Sequence, residues 1–140
     1  MAPWGPWPGT PATQNLPFAW FEQDVSTDGN LVVSTTPPTF TAVQTLGPLS
    51  YVAGLYRFDW YCETFQSATS NSVEVQFLVD GFVDGDTRHG DEVDVVDVHE
   101  HTGFFTVNLG AGAHTAVLQG AVTAGTATFR RRRIMVTRIG

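Results

Sequence analysis

Apolar and polar residues alternate with a period of two along much of the chain, and no window carries a sustained apolar repeat of 3.6 residues. In "YRFDWYCETF" every second residue from Tyr56 to Cys62 is apolar or aromatic, and the stretch "SVEVQFLVD" alternates in the same way from Val73 to Val79. Thr and Val are abundant, and β-branched side chains suit a pleated surface. The pattern therefore predicts antiparallel strands that cover a core with one face.

Glycine-containing turn sequences separate these stretches, as in "TDGN", "VDGFVDGD", "LGAGAH" and "TAGT". Their spacing is typical of a sandwich or a barrel. The sequence predicts an all-β fold, an eight-stranded antiparallel jelly-roll sandwich preceded by an extended arm rich in Pro and Trp. Apolar residues of both parities in "DVVDV" predict a bulge between Val95 and Val96. The predicted strands lie near residues 18–25, 38–46, 54–66, 72–80, 92–100, 103–109, 113–122 and 126–139.

The first 17 residues form the predicted arm, and residues 18–140 form the predicted sandwich domain. Five of the eight prolines fall within "MAPWGPWPGTPATQNLP", which excludes a helix or a central strand there. Tryptophan is costly to leave in water and is a frequent interface anchor. The arm is therefore predicted to dock on another subunit or on another protein, and the alternative is that it folds back to plug its own sandwich. The predicted partner-contact residues are Trp4, Trp7, Pro8, Phe18 and Trp20.

The net charge and the composition argue against several classes of function. The net charge of −7 disfavours nucleic acid, because phosphate binding needs an excess of positive charge. The apolar runs are short, which argues against a membrane span. The first residues do not resemble a signal peptide, so synthesis in the cytoplasm is expected. The single Cys62 excludes an internal disulfide.

Two charge blocks stand out. All seven cations are arginines, four of them consecutive, and eight of the fourteen acids lie between Asp80 and Glu100. In a regular strand, alternate arginines point to opposite sides, so the block is expected to split two and two. Arginine–carboxylate pairs suit interfaces, so we predict charge pairing within or between subunits, with packed aliphatic stems and solvated heads as the alternative. The residues predicted to pair are Arg130, Arg131, Arg132 and Arg133 with Asp91, Glu92 and Asp94.

Candidate chemistry is sparse. Asp97, His99 and His101 would share one face of a strand and could ligate zinc or nickel, although a solvated polar edge is the preferred interpretation. Asp80, Asp84 and Asp86 with the glycines between them suggest a calcium-binding loop, but they lack EF-hand spacing, so a solvated turn is the preferred interpretation. His114 is predicted to cap a turn rather than to act as a general base. The chain carries no recognised catalytic motif. We therefore predict no enzyme activity, no bound metal and no cofactor.

Four segments occur in a characteristic order: "GLYRFDW", "VEVQFLVDG", "LGAGAHTAVLQ" and "GTATFRRRRIMVTRI". This order resembles small jelly-roll domains of tailed phages, which occur as capsid decoration proteins, head-fibre bases and tail-fibre heads, usually as trimers. The resemblance covers about residues 38–139. It implies a non-enzymatic virion protein, a homotrimer on the capsid exterior with the major capsid protein as its partner. The alternative is a receptor- or glycan-binding tip of a phage tail or head fibre.

Overall fold

The computed structural model describes residues 21–67, 71–83, 89–93 and 98–140, and within 89–93 it describes the backbone alone. All regular structure in this part of the chain is β-strand, and no helix long and apolar enough to cross a membrane occurs in it. The strands are β1 Glu22–Thr27, β2 Leu31–Val33, β3 Thr41–Tyr51, β4 Gly54–Gln66, β5 Asn71–Val79, β6 Phe82–Val83, β7 His89–Val93, β8 His99–Leu109, β9 Gly112–Val122 and β10 Ala127–Arg138.

The strands form two antiparallel sheets that face each other. Sheet I has the order β1-β10-β4-β8, with β2 also paired to β10, and sheet II has the order β3-β9-β5, with β6 and β7 both paired to β5. Eight strands, all but β2 and β6, alternate between the sheets along the chain except at β5 and β7, which both lie in sheet II. This is the jelly-roll arrangement. The predicted eight-stranded jelly roll is confirmed, and β2 and β6 are short additions of three and two residues.

The core contains the residues that the alternation of apolar and polar positions predicts. Tyr56, Phe58, Trp60 and Cys62 in β4 are at most 1% exposed, and the apolar series of β5 from Val73 to Val79 is buried in the same way. These side chains meet those of β9 and β10 between the sheets. Burying one large apolar side chain contributes about 1.5–3 kcal/mol, so this layer is the main source of stability.

The predicted strands at 92–100 and 103–109 are wrong in their boundaries. The first is replaced by β7, which ends at Val93 in sheet II, and β8 begins at His99 in sheet I and runs on through Gly103 without a break. Gly103 lies directly opposite Trp60, where a Cβ atom would come 2.6 Å from the indole. This glycine therefore makes room for a ring and does not form a turn. The predicted bulge at Val95 and Val96 lies outside the described residues.

Candidate interaction surfaces

The outer face of sheet I carries most of the charges of the described residues. The strand register places its outward side chains in rows, so that Phe104, Asp59, Met135 and Asp24 lie side by side across four strands. The next row contains Thr102, Tyr61, Arg133 and Ser26. We call this surface the charged face; it comprises Glu22, Asp24, Arg57, Asp59, Tyr61, Glu63, Glu100, Thr102, Phe104, Arg130, Arg131, Arg133 and Met135.

Glu63 is the centre of one charge cluster on this face. Its side chain is 5% exposed and accepts hydrogen bonds from Arg130 Nε at 3.0 Å and from Arg131 Nη1 at 3.1 Å. Tyr61 Oη lies 3.0 Å from the same carboxylate and 2.8 Å from Glu100. Burial acts to raise the pKa of Glu63, but the hydrogen bonds from Tyr61 and Arg130 and the charge of Arg131 outweigh it, so the pKa is lowered. Two of the four arginines are thus held by one carboxylate of the neighbouring strand.

The expected two-and-two split of the arginines is wrong. Three of them point outward, and only Arg132, which is 7% exposed, points into the molecule. The cause is a bulge on β10 between Arg130 and Arg133, where Arg131 adopts a φ of +48°. An extra residue in one strand shifts the parity of all that follow. Ile134 and Val136 therefore face the core together with Phe129.

The buried Arg132 has no carboxylate partner among the described residues and instead binds backbone. Its Nη1 donates to the carbonyl oxygen of Val43 at 2.6 Å, and its Nη2 donates to that of Gly29 at 3.1 Å. Val43 belongs to β3 of sheet II, and Gly29 lies in the turn between β1 and β2. Arg132 therefore ties the two sheets together. Charge alone could not have distinguished this arginine from its three neighbours.

The predicted pairing of the arginines with the acidic segment is not tested by the residues that the structure describes. Asp91 and Glu92 lie in β7, of which the backbone alone is described, and Asp94 lies outside the described residues. The partners that the structure does provide are Glu63 for two arginines and Asp24 for Arg133, at 3.3 Å. Pairing with the acidic segment stays a prediction.

The outer face of sheet II contrasts with the charged face. Strands β3, β9 and β5 contain a single acid or arginine, Glu74, within 31 residues. One row across this sheet consists of Val83, Leu78, Val117 and Thr45. The next row pairs Gln76 with Gln119 through a 2.7 Å hydrogen bond. We call this surface the low-charge face; its exposed or partly exposed residues are Ala42, Thr45, Glu74, Val83, Thr115, Val117 and Gln119. Gln76, Leu78 and Ala121 lie on the same side of the sheet but are buried.

Sequence reasoning missed the low-charge face, although a signal for it was present. Alternation separates the outward residues from the inward residues, and the outward residues of β9 are small, polar or apolar, with no acid or arginine among them. Comparing the outward positions of each strand separately would have found it.

His114 is engaged on both sides of its ring. Its Nδ1 lies 2.5 Å from Asp80 Oδ2, and its Nε2 donates to the carbonyl oxygen of Gly110 at 2.7 Å. The other Asp80 oxygen accepts the backbone N–H of Thr115 at 2.9 Å. The hydrogen bonds to Asp80 and Gly110 raise the pKa of His114, which favours the imidazolium. In the imidazolium form both nitrogens donate, so in that form the ring has no lone pair to act as a general base. The hydrogen bond to Gly110 confirms the predicted turn-capping role.

Asp80 was predicted to lie in a solvated turn, with a calcium loop as the alternative. It does lie in the tight turn between β5 and β6, with a φ of +53° followed by +83° at Gly81. Its carboxylate, however, binds a histidine 34 residues away. Burial acts to raise the pKa of Asp80, but the hydrogen bonds from His114 and Thr115 outweigh it and lower the pKa. The other acids of the proposed loop, Asp84 and Asp86, lie outside the described residues.

Two of the three candidate metal ligands, His99 and His101, lie on the side of β8 that faces the core. His101 is 5% exposed, and its Nε2 lies 2.9 Å from Thr64 Oγ1. His99 sits opposite Thr64, two positions along the same strand. The preferred interpretation of this segment as a solvated edge is therefore wrong for His101, because its side chain lies on the side of β8 that faces the core. No group of three His, Cys, Asp or Glu side chains that could hold a metal occurs in the part of the chain described, which excludes Asp97.

The predicted docking arm and its contact residues Trp4, Trp7, Pro8, Phe18 and Trp20 lie outside the described residues. The boundary between arm and sandwich therefore stays a prediction. The first described residue, Phe21, packs against Tyr51 and Tyr56, with ring centroids 4.8 and 5.6 Å apart. Burial, then the neighbouring Tyr56 and the charge of Asp80, raise the pKa of Tyr51 to about 12.

No protein-family model matches the chain, and no curated protein matches it. Solved structures share its fold. One is the T13 viral particle of infectious bursal disease virus, with 8% identity, a TM-score of 0.65, and coverage of 86% of this chain and 31% of the capsid chain. A second is the EclA C-terminal domain, a sugar-binding protein (14% identity, TM-score 0.52, 91% of this chain and 89% of that chain). A third is Eiger TNF from S. frugiperda, with 12% identity, a TM-score of 0.50, and coverage of 86% of this chain and 93% of that chain.

At these identities the likeness shows the fold alone. The chain spans about a third of the length of the viral capsid chains that it matches. The resemblance to small jelly-roll domains is therefore confirmed as a fold, and the tailed-phage origin stays a prediction. The protein is a jelly-roll domain whose two outer faces differ in charge.

Proposed function

We propose that this protein is a non-enzymatic structural component of a virion that acts by contact. The observation that carries the proposal is the low-charge face on one side of a jelly roll whose other side is charged. The capsid proteins among the solved structures of the same fold support a structural role, and the sugar-binding protein among them supports a carbohydrate-binding role. The full engagement of the Asp80–His114 pair fits a protein without acid–base chemistry.

The low-charge face is suited to association between copies of this chain. Each copy carries a net charge of −7, so copies that meet through acidic surfaces repel each other. The cores of protein interfaces are depleted in charged residues. With Glu74 as the one acid among its described side chains, and with Thr45 and Val117 at least partly exposed in its central row, this face lets copies approach with little repulsion. We infer a homotrimer, the state that the resemblance to phage jelly rolls implies.

The finer proposal is a capsid decoration protein of a tailed phage, on the capsid exterior. The arm of residues 1–17 would dock on the major capsid protein, with Trp4 and Trp7 as anchors. Burying an indole contributes up to about 3 kcal/mol by area. Three arms on one trimer would multiply this into strong avidity if all can engage together.

A matched pair of threonine variants tests the association. Thr45 and Thr106 are both exposed strand residues, one on the low-charge face and one on the outer side of β8. Thr45→Lys should reduce the mass measured by multi-angle light scattering from three chains to one, whereas Thr106→Lys should leave the trimer intact. Circular dichroism checks the fold of both. A trimer that survives Thr45→Lys, or a wild-type monomer, would refute the proposed association.

Deleting residues 1–17 tests the docking. The shortened chain should keep its strand circular dichroism and its trimeric state, and it should no longer sediment with isolated capsids. Loss of the folded state would show instead that the arm plugs its own sandwich. Full capsid binding by a folded, shortened chain would refute the arm as the anchor.

A second candidate, a receptor- or glycan-binding tip of a tail or head fibre, is favoured by one feature of the charged face. Phe104 in β8 is 58% exposed and lies opposite Asp59, which lines a depression of mixed polar and apolar character. Exposed aromatic rings beside fixed polar groups are typical of ligand sites.

A further inference from the structure

A depression of about 180 Å³ lies in the middle of the charged face, where β8, β4 and β10 run side by side. Its wall combines a carboxylate, a phenol, a hydroxyl, a guanidinium and a thioether. The residues that line it are Asp59, Trp60, Tyr61, Thr102, Arg133 and Met135. Trp60 contributes backbone, because its side chain is buried in the core. The volume lies below the roughly 300 Å³ at which pockets for drug-sized ligands begin, so the depression suits one small ring.

The polar side chains of this depression are held by neighbours outside it. Both oxygens of Asp59 accept hydrogen bonds from Arg57, at 3.0–3.2 Å. Arg57 in turn lies over the ring of Phe104, 4.3 Å from its centroid. Arg133 is held by Asp24 at 3.3 Å. Groups fixed in this way lose little conformational entropy when a ligand binds.

Tyr61 is held at its hydroxyl. Its Oη lies between Glu63 and Glu100, at 3.0 and 2.8 Å. Partial burial and then the hydrogen bonds to these two carboxylates raise the pKa of Tyr61, so the phenol stays neutral. Its ring, which is half-buried, and Met135 beside it supply an apolar surface. Thr102 Oγ1 donates to the backbone carbonyl of Trp60 at 3.1 Å, so the lone pairs of this hydroxyl oxygen can still accept hydrogen bonds.

The charges of the depression cancel within the protein. Asp59 is balanced by Arg57, and Arg133 is balanced by Asp24. A free anion or cation would therefore gain little. Capacity for hydrogen bonds nevertheless remains, because each carboxylate oxygen has two lone pairs and a guanidinium has five N–H donors. The ligand that fits is neutral, rich in hydroxyl groups that both donate and accept, and apolar on one face.

We propose that this depression binds one ring of a saccharide. Asp59 would accept hydrogen bonds from adjacent hydroxyls, Arg133 would donate to ring or hydroxyl oxygens, and the C–H face of the sugar would lie on Tyr61 and Met135. Phe104, exposed beside the depression, would receive the next ring of a longer glycan. The inference rests on the second candidate function and is independent of association through the low-charge face and of docking by the arm.

Saturation-transfer NMR and titration of the full chain with defined glycosides test the site. The probes are the methyl glycosides of glucose, galactose, mannose, N-acetylglucosamine and rhamnose. At least one should bind saturably with a Kd on the order of 1–10 mM, the weak end of the affinity scale, because the site is small and open. Asp59→Asn keeps the shape of the side chain and should weaken binding about tenfold, the usual effect of losing a charge-assisted hydrogen bond. Arg133→Gln should do the same.

The matched control is Glu22→Gln, which removes an exposed acid of the same face outside the depression. It should bind the same glycoside as the wild type does. Absence of saturable binding for all five glycosides would overturn the proposal, and so would equal affinity of wild type and Asp59→Asn, which would place the sugar elsewhere. Either result leaves the trimer and the capsid-binding assays unaffected, so failure here is distinguishable from failure of the structural role.

Discussion

Replacing Arg132 with methionine tests how far the two sheets depend on one buried cation. The guanidinium is 7% exposed and donates to the carbonyl oxygens of Val43 and Gly29, at 2.6 and 3.1 Å. Methionine fills a similar length with an apolar, flexible side chain. The substitution therefore keeps much of the packing and removes the two donors.

The expected loss follows from these contacts. A hydrogen bond to a charged group contributes about 1.5–3 kcal/mol, so the two together account for about 3–6 kcal/mol. The apolar side chain regains about 1–2 kcal/mol, because it avoids the cost of burying a charge. The free energy of unfolding should therefore fall by about 2–4 kcal/mol. For a chain of this size that corresponds to a Tm lower by roughly 6–12 °C.

Urea unfolding followed by circular dichroism measures this difference, and Arg133→Met is the matched control. Arg133 is the next residue, but its side chain is about half exposed and pairs with an equally exposed Asp24. Such surface pairs contribute about 0–1 kcal/mol. If the two variants unfold within about 0.5 kcal/mol of each other, the buried arginine does not join the sheets in the way that its hydrogen bonds indicate.

Two further predictions concern pH and packing. Because the pKa of His114 is raised in the folded state, the protonated ring stabilises the fold fully below the unfolded value of about 6.5, and this contribution disappears as the pH rises through the higher folded value. The Tm of the wild type should therefore fall as the pH is raised above 6.5, and it should fall less in His114→Gln. Equal pH profiles for the two would contradict the Asp80 contact. Gly120→Ala should lower the free energy of unfolding by about 1–3 kcal/mol, because the new Cβ would overlap the buried ring of Phe129. Gly29→Ala, with open space around it, is the control, and an equal loss in both would contradict the steric argument.

The parts of the fold that sequence predicted are those that depend on local alternation. In β4 the inward positions from Tyr56 to Cys62 are apolar or aromatic and mostly charged residues lie between them, so this buried series could be identified without any contact information. The turns at Gly81, Gly112 and Gly125 were also predictable, because a positive φ favours glycine. Local rules were sufficient for these elements.

The features that sequence could not supply depend on distant partners or on broken parity. Asp80 and His114 are 34 residues apart, and only the pairing of β5 with β9 brings them together. Arg132 turns inward because Arg131 adopts a positive φ, which is uncommon for a residue other than glycine. The depression on the charged face combines side chains from three strands. The rows in which these side chains lie can be identified only once the register of the strands is known.

The bulge in β10 has a consequence for comparing this chain with others. Between the positions opposite Glu63 and Tyr61, β10 advances by three residues while β4 advances by two. Arg131 is therefore supernumerary: without it, Phe129, Arg132 and Ile134 would still follow one another on the inner side of an uninterrupted strand. A relative with three arginines would have the same core and would lack only one cation at Glu63. An alignment of such a relative should place a one-residue gap at Arg130 or Arg131, since a gap at Arg132 or Arg133 would match an inward arginine with an outward one.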